Sequence, residues 1–126
     1  MMKLQDLSER SVSRRLGADA FTVLQGHLRN GAEVRIEMPS DEMVTSSFLD
    51  EFIRLLAENR QLALVTFVLR NEDDLFEKLS RIAGTRKVPL FFSNNANDER
   101  RAVAPKGFTN WDIFEEASKS DDDPFV

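Results

Sequence analysis

Cysteine is absent from these 126 residues. Its absence excludes a disulfide framework, a thiolate nucleophile and any cysteine-ligated metal, and it fits a reducing compartment. Long apolar runs are also missing: no window approaches the roughly 20 residues that span a bilayer. The opening Met1–Arg10 lacks the hydrophobic segment of a signal peptide, so a cytoplasmic location away from membranes is expected. Neither common glycine-rich phosphate loop occurs, and there is no His-Glu-x-x-His. Histidine occurs once, as His27, on the edge of an apolar stripe with no orienting partner in view, which suits packing better than proton transfer. A basic excess is lacking too. The formal charge is −5, which argues against nucleic acid as the partner, since phosphate binding needs a cationic face. No catalytic residue, cofactor or metal site is expected.

What is present is an ordinary globular composition, 41% hydrophobic and 31% charged, at a length that buries one core without staples. The chain turns on the stretch Val34–Phe52. Val34, Ile36 and Met38 alternate with Arg35 and Glu37, the period of a half-buried strand. Pro39 ends that ladder, having no N–H to donate. Asp41 and Glu42 follow as a solvated pair, with no third ligand to make a cation cage. Met43 and Val44 return the chain to an apolar surface. Thr45, Ser46 and Ser47 then offer three capping hydroxyls before the apolar stripe from Phe48 to Leu56. If Thr45 is the cap, Val44 and Leu49 occupy the two positions of a hydrophobic staple.

Around this stretch, helix and strand alternate. Ser13 can cap a helix over 14–29, stopped by Asn30-Gly31. A strand follows over 33–38 and a helix over 46–59. Leu62–Leu69 is continuously apolar, which predicts a central strand covered on both faces. Asn71 can cap a helix over 72–83, ended by Gly84, and Val88–Phe92 supplies a strand that Pro89 confines to an edge or a strand start. Residues 1–12 read either as a short edge strand or as a docked arm. Right-handed crossovers between neighbouring strands give a small, mainly parallel α/β sheet with helices.

Composition changes at Ser93, which puts a boundary after 92: a domain over 1–92 and an extension over 93–126. Residues 93–101 read as a loop with no apolar anchor. A short helix over 109–117 carries a capping-box spacing at Thr109 and Asp112, and the acidic end beyond it is expected to be disordered. Phe108, Trp111, Ile113 and Phe114 are too apolar for a lone short helix. They are expected to dock on the domain or on a second copy, which makes a homodimer one candidate assembly.

From Val34 to Leu49 the chain resembles the core motif of STAS domains, the sulfate-transporter and anti-sigma-factor-antagonist family. There a strand ending Asp-Leu-Ser-Gly leads through an apolar pair to Asp-Ser-Ser-Gly-Leu opening a helix. Glu37-Met38, Met43-Val44 and Thr45–Leu49 stand at those places. A STAS-like family of unknown function is more similar still. Its members share the pattern Ser13-Arg14…Leu16-Gly17, the run Ser-Ser-Phe-Leu-Asp-Glu at 46–51 and an apolar strand like Val65–Val68, so the resemblance covers roughly 13–92. It implies a βαβαβ core and a non-catalytic signalling module whose partner is a protein, with a kinase-type regulator acting on Ser46. Thr45 stands where the family has aspartate and Phe48 where it has glycine, which implies a more deeply buried helix start.

For Thr45, Ser46 and Ser47, two readings coexist: helix capping, and a phosphorylation or anion site. Asp50 and Glu51 are expected on the solvent side of the first turn, serving the helix dipole, or with Asp41 and Glu42 as a partner-facing acidic surface. A phosphate on Ser46 would then crowd those carboxylates and weaken binding of a basic partner. The competing class is a small-molecule binder or enzyme using the loops at the carboxyl ends of the strands. A deep pocket with convergent polar groups beside Ser40–Ser47 would favour it.

Overall fold

A computed structural model describes residues 1–28, 30–70, 73–95, 97–109 and 111, with Asp73 described by its backbone alone. Three helices and a five-stranded, mostly parallel sheet alternate along the chain. The order is β1 (Met2–Lys3), α1 (Arg14–His27), β2 (Val34–Glu37), α2 (Ser46–Glu58), β3 (Val65–Val68), α3 (Asp73–Arg86), β4 (Leu90–Ser93) and β5 (Arg101–Val103). In space the strands follow the same order, β1 to β5. The first four are parallel and β5 returns antiparallel to β4, with Leu90 opposite Val103.

Each parallel connection steps one strand in the same direction. Right-handed crossovers therefore lay α1, α2 and α3 on one face of the sheet. Alternation along the strands sends Ile36, Val65, Phe67, Leu90 and Phe92 into that layer, where they share one core with Ala20, Leu24, Phe48, Phe52, Leu75 and Leu79. Phe76 of α3 seats on Phe92 at 5.0 Å between ring centroids, and Phe48 stacks on Phe52 at 6.1 Å. Leu4 and Leu7 are buried in the same core, so the N-terminal segment carries both an edge strand and a docked turn.

The far face explains the apolar run at 62–69. Every residue of β3 is buried, although the strand itself is only Val65–Val68 and Leu62–Leu64 form a tight 3₁₀ turn before it. Among the described residues that face is covered by polar side chains, the loop after β4 and Trp111. Arg35 donates to Ser93 Oγ at 3.1 Å and to the carbonyls of Asn95 and Asp98, while Glu33 accepts from Arg35 Nε at 2.9 Å and from Thr66 Oγ1 at 2.8 Å. Arg100 lies 3.9 Å over the Phe91 ring and donates to the Ala63 carbonyl. This clip folds the chain back into β5, where the sequence predicts a loop. Three residues, the first an arginine that follows another, carry too little pattern to announce an edge strand.

Helix ends differ from expectation as well. Gly84 does not stop α3. The helix runs to Arg86, and Lys87 takes the left-handed conformation (φ 60) while the Val88 amide returns to the Ala83 carbonyl at 3.1 Å. Arg60 ends α2 in the same way, with φ 59 and Gln61 N–H on the Leu56 carbonyl. His27 is exposed in the last turn of α1, so it does not pack as the sequence suggests. Met43 is exposed and only Val44 of that pair is buried.

The tightest constraint lies between α1 and α2. Gly17 faces the Phe48 carbonyl so closely that a Cβ there would stand 2.5 Å from the oxygen and 3.3 Å from Glu51 Cβ. Backbone cannot retreat as a flexible side chain can. Gly17→Ala should therefore lose about 1–3 kcal/mol by urea unfolding despite the better helix propensity of alanine. A variant as stable as the parent would mean that the two helices slide apart at no cost.

Candidate functional site

The head of α2 is built from both sides. The β2 ladder extends one residue past the strand, through Met38 N–H to the Val68 carbonyl at 3.0 Å, before Pro39 ends it. A 3₁₀ turn over Asp41–Met43 leads to Val44, which bridges to Ser11, and the Thr45 amide donates to the Ser11 carbonyl at 2.8 Å. The loop is thus pinned to the segment before α1 just as it becomes helix. Lys78 of α3 reaches across to the same turn. It donates to the carbonyls of Asp41 and Val44 at 3.2 and 2.9 Å and pairs with Asp41 Oδ1 at 2.8 Å.

Within the hydroxyl triad the roles separate. Thr45 is the N-cap, its Oγ1 accepting from the Phe48 amide at 3.2 Å, and Val44 and Leu49 are both buried at the staple positions. Phe48 is fully buried. Ser46 and Ser47 are exposed, and among the described residues neither hydroxyl has a hydrogen-bond partner. One hydroxyl caps; two face solvent.

The acidic residues behave differently from the sequence expectation. Asp50 does not point to solvent: its side chain is 15% exposed and is the hub of an ion-pair cluster. It accepts from Arg86 at 2.9 and 2.6 Å and from Arg14 at 2.7 Å, so α2 is tied to both neighbouring helices. The Arg86 guanidinium, against the cost of partial burial and with help from Arg14, lowers the Asp50 carboxyl from 3.8 to about 2. Glu51 is held by Arg54 at 2.7 and 2.9 Å, which lowers its pKa in the same direction. Asp41 is taken by Lys78, and only Glu42 of the four is fully exposed. Partnered carboxylates do not make a free acidic contact surface. Sequence reasoning missed Lys78, Arg81 and Arg86 because they arrive from α3, more than 30 residues away. The spacing of Lys78, Arg81 and Thr85 along one helical stripe was the available signal.

Arg14, Lys78, Arg81 and Thr85 join Ser46 and Ser47 around a shallow depression of about 260 Å³. Arg10 and Arg15, the arginines nearest Arg14 in the sequence, are exposed. Two smaller depressions of about 180 and 220 Å³ adjoin the same loop at Pro39, one beside Lys3 and Glu37 and one beside Val12 and Met43. Among the described residues no group of three or more His, Asp or Glu side chains is placed to hold a metal ion, and no helix is long and apolar enough to cross a membrane. Farther along, Trp111 meets Phe91 edge-on at 6.4 Å and Phe108 at 5.0 Å. Ile113, Phe114, the Thr109–Asp112 capping box, the helix over 109–117, the acidic end and the Asn71 cap lie outside the described residues.

Two expectations follow. Thr45→Ala should cost about 1 kcal/mol of stability while Ser46→Ala stays within about 0.5 kcal/mol, because only the first removes a cap. Equal losses in urea titration would reassign the cap. Asp50 has a folded-state pKa below its unfolded one, so its contribution is complete above about 3.8 and disappears as pH falls through about 2. Because both arginines are partly exposed and solvent screens the pairs, Asp50→Asn should lose about 1–2 kcal/mol at neutral pH, and most of the difference should be gone at pH 2. A deficit that stays constant from pH 7 to pH 2 would assign the loss to packing instead.

No family model, curated protein or solved structure matches this chain.

Proposed function

We propose that the chain is a non-catalytic, STAS-like signalling module that binds a protein partner through the head of α2, with Ser46 as its regulatory hydroxyl. The observation that carries the reading is the division of labour in the triad. Thr45 satisfies the orphan N–H, which frees Ser46 and Ser47 to stand exposed and unbonded at the start of a rigidly seated helix. The resemblance of residues 13–92 to STAS-like domains supports the same position for the serine. The shallow relief supports it further. Depressions of about 180–260 Å³ beside Ser40–Ser47 fall below the usual size of small-molecule pockets and suit a flat protein contact.

Electrostatics sets the kind of partner. Lys78 is taken up by Asp41 and Arg14 by Asp50, so Arg81 is the cation beside Ser46 with no ion-pair partner among the described residues, and it favours an acidic protein surface over a basic one. A phosphate on Ser46 adds about −1.5 to −2 charge where these cations stand and where the helix dipole is positive. It pairs with Arg81 internally and so removes that cation from the partner. Modification therefore weakens binding, for the opposite electrostatic reason to the one that the sequence suggests.

The test uses the full chain as wild type, Ser46→Ala and Ser46→Asp to capture partners from native cells, followed by affinity measurement on the captured protein. Ser46→Asp should bind at least tenfold more weakly, about 1.4 kcal/mol, with its melting temperature unchanged. Ser46→Ala should bind like the parent. Equal affinity for all three would leave the hydroxyl without a regulatory role.

A further inference from the structure

Formal charge is distributed very unevenly along this chain. Residues 112–126 hold six carboxylates and one lysine, which accounts for the whole net charge of −5, and residues 1–111 are neutral with sixteen charges of each sign. The neutral part still presents uncompensated cations. Arg81, Lys87 and Lys106 have no ion-pair partner among the described residues, and all three are exposed.

These cations are arranged along one route. Phe108 and Thr109, the residues that lead into the acidic segment, line a depression of about 560 Å³ together with Gly84, Lys87 and Lys106. Trp111 is fixed beside them by its ring contacts with Phe108 and Phe91. From Lys87, one residue past α3, a row at i, i+3 spacing runs back through Gly84 to Arg81, and there it meets the depression that Ser46 and Ser47 line. At 1.5 Å per residue, Arg86 at the end of α3 lies about 7.5 Å beyond Arg81 along the helix axis, and Lys87 follows it. Fifteen residues reach up to about 50 Å when extended, so length sets no limit. Tethering supplies a high effective concentration, in the millimolar range for a short flexible link.

From this we infer that the cationic stripe on α3 is a docking surface for the chain's own acidic segment, residues 112–126. In that position the segment runs from Trp111 along Lys87 and Arg81 and screens the depression at Ser46–Ser47. The inference rests on the reading of that depression as the partner surface and deepens it. An acidic segment bound in cis occupies the cations that an acidic partner requires, so the tail acts as an internal competitor. No new bond is needed, only charge pairing in a partly screened site, which makes the contact sensitive to ionic strength.

The lack of cysteine makes the test direct. A spin label on Ser120→Cys in the full chain should broaden the backbone amide signals of Arg81, Thr85, Ser46 and Ser47. The broadening should be lost in the same chain carrying D121N, D122N and D123N, and lost again in 1 M salt, where the Debye length is about 3 Å. Circular dichroism melts should show these variants folded like the parent. Absence of broadening at α3, or broadening indifferent to both tail charge and salt, would overturn the inference. Mixing spin-labelled, isotopically silent protein with unlabelled, isotope-enriched protein distinguishes the occupant: broadening in that mixture would mean that a second copy's tail sits there and would overturn docking in cis. The experiment contains no partner, so it stands apart from the Ser46 affinity series. A docked tail with equal affinities in that series sinks only the phospho-switch. A free tail with a weakened Ser46→Asp sinks only the tail docking.

Discussion

The whole arrangement depends on the chain stepping one strand over, in the same direction, at each of its three crossovers. Had one step reversed, a helix would have moved to the other face, and α2 would have lost one of its flanking neighbours. Because none does, α2 lies between α1 and α3, and its first turn meets the start of α1 on one side and the cationic stripe of α3 on the other. Asp50 can then bind Arg14 and Arg86 at once. Lys78 can reach the loop carbonyls that precede the helix. One-sided winding also keeps α1, α2 and α3 off the second sheet face, where among the described residues the Arg35–Glu33–Thr66–Ser93 network and the folded-back β5 lie.

Close helix contact and the ion-pair hub depend on each other. Gly17 lets α1 approach the α2 backbone to the point where a single methyl group would collide with the Phe48 carbonyl. At that separation Arg14, three residues earlier, reaches Asp50 at 2.7 Å. Exposed ion pairs are worth little alone, because ordering two long side chains costs entropy and salt screens them. Asp50 differs because it is mostly buried and accepts from two guanidinium groups, one of them bidentate, so it fixes how the three helices sit relative to one another. Packing brings the helices together, and the cluster fixes their register.

The sequence expresses local chemistry well and distant pairing badly. Period-2 alternation at Val34–Met38, the Ser13 and Thr45 caps and the fully apolar Val65–Val68 all depend on neighbours within a few residues, and each is where the pattern puts it. The same local logic failed at Gly84, since the α3 end is set by Lys87 accepting a left-handed conformation and Gly84 stays helical. It also failed at β5, whose reason to form is an arginine clip that starts from residue 35. The site shows the same split. The hydroxyl triad can be read from the sequence, but the fate of Asp50 cannot, because its partners lie 36 residues away on either side.

That split bears on how a charge at Ser46 would be felt. Lys78 belongs to the cation set around the serines, yet its ammonium is already committed to the Asp41 carboxylate and to the Asp41 and Val44 carbonyls. Arg14 is likewise committed to Asp50, while Arg81 has no such commitment among the described residues. An anion arriving at Ser46 therefore meets one unengaged guanidinium and two cations that already hold the loop and the helices in place. It can pair with Arg81 at little structural cost. Drawing on Lys78 or Arg14 would loosen either the Asp41–Val44 turn or the helix register. The head of α2 and the loop that leads into it are thus one electrostatic unit, and charge added there redistributes existing pairs rather than filling an empty socket.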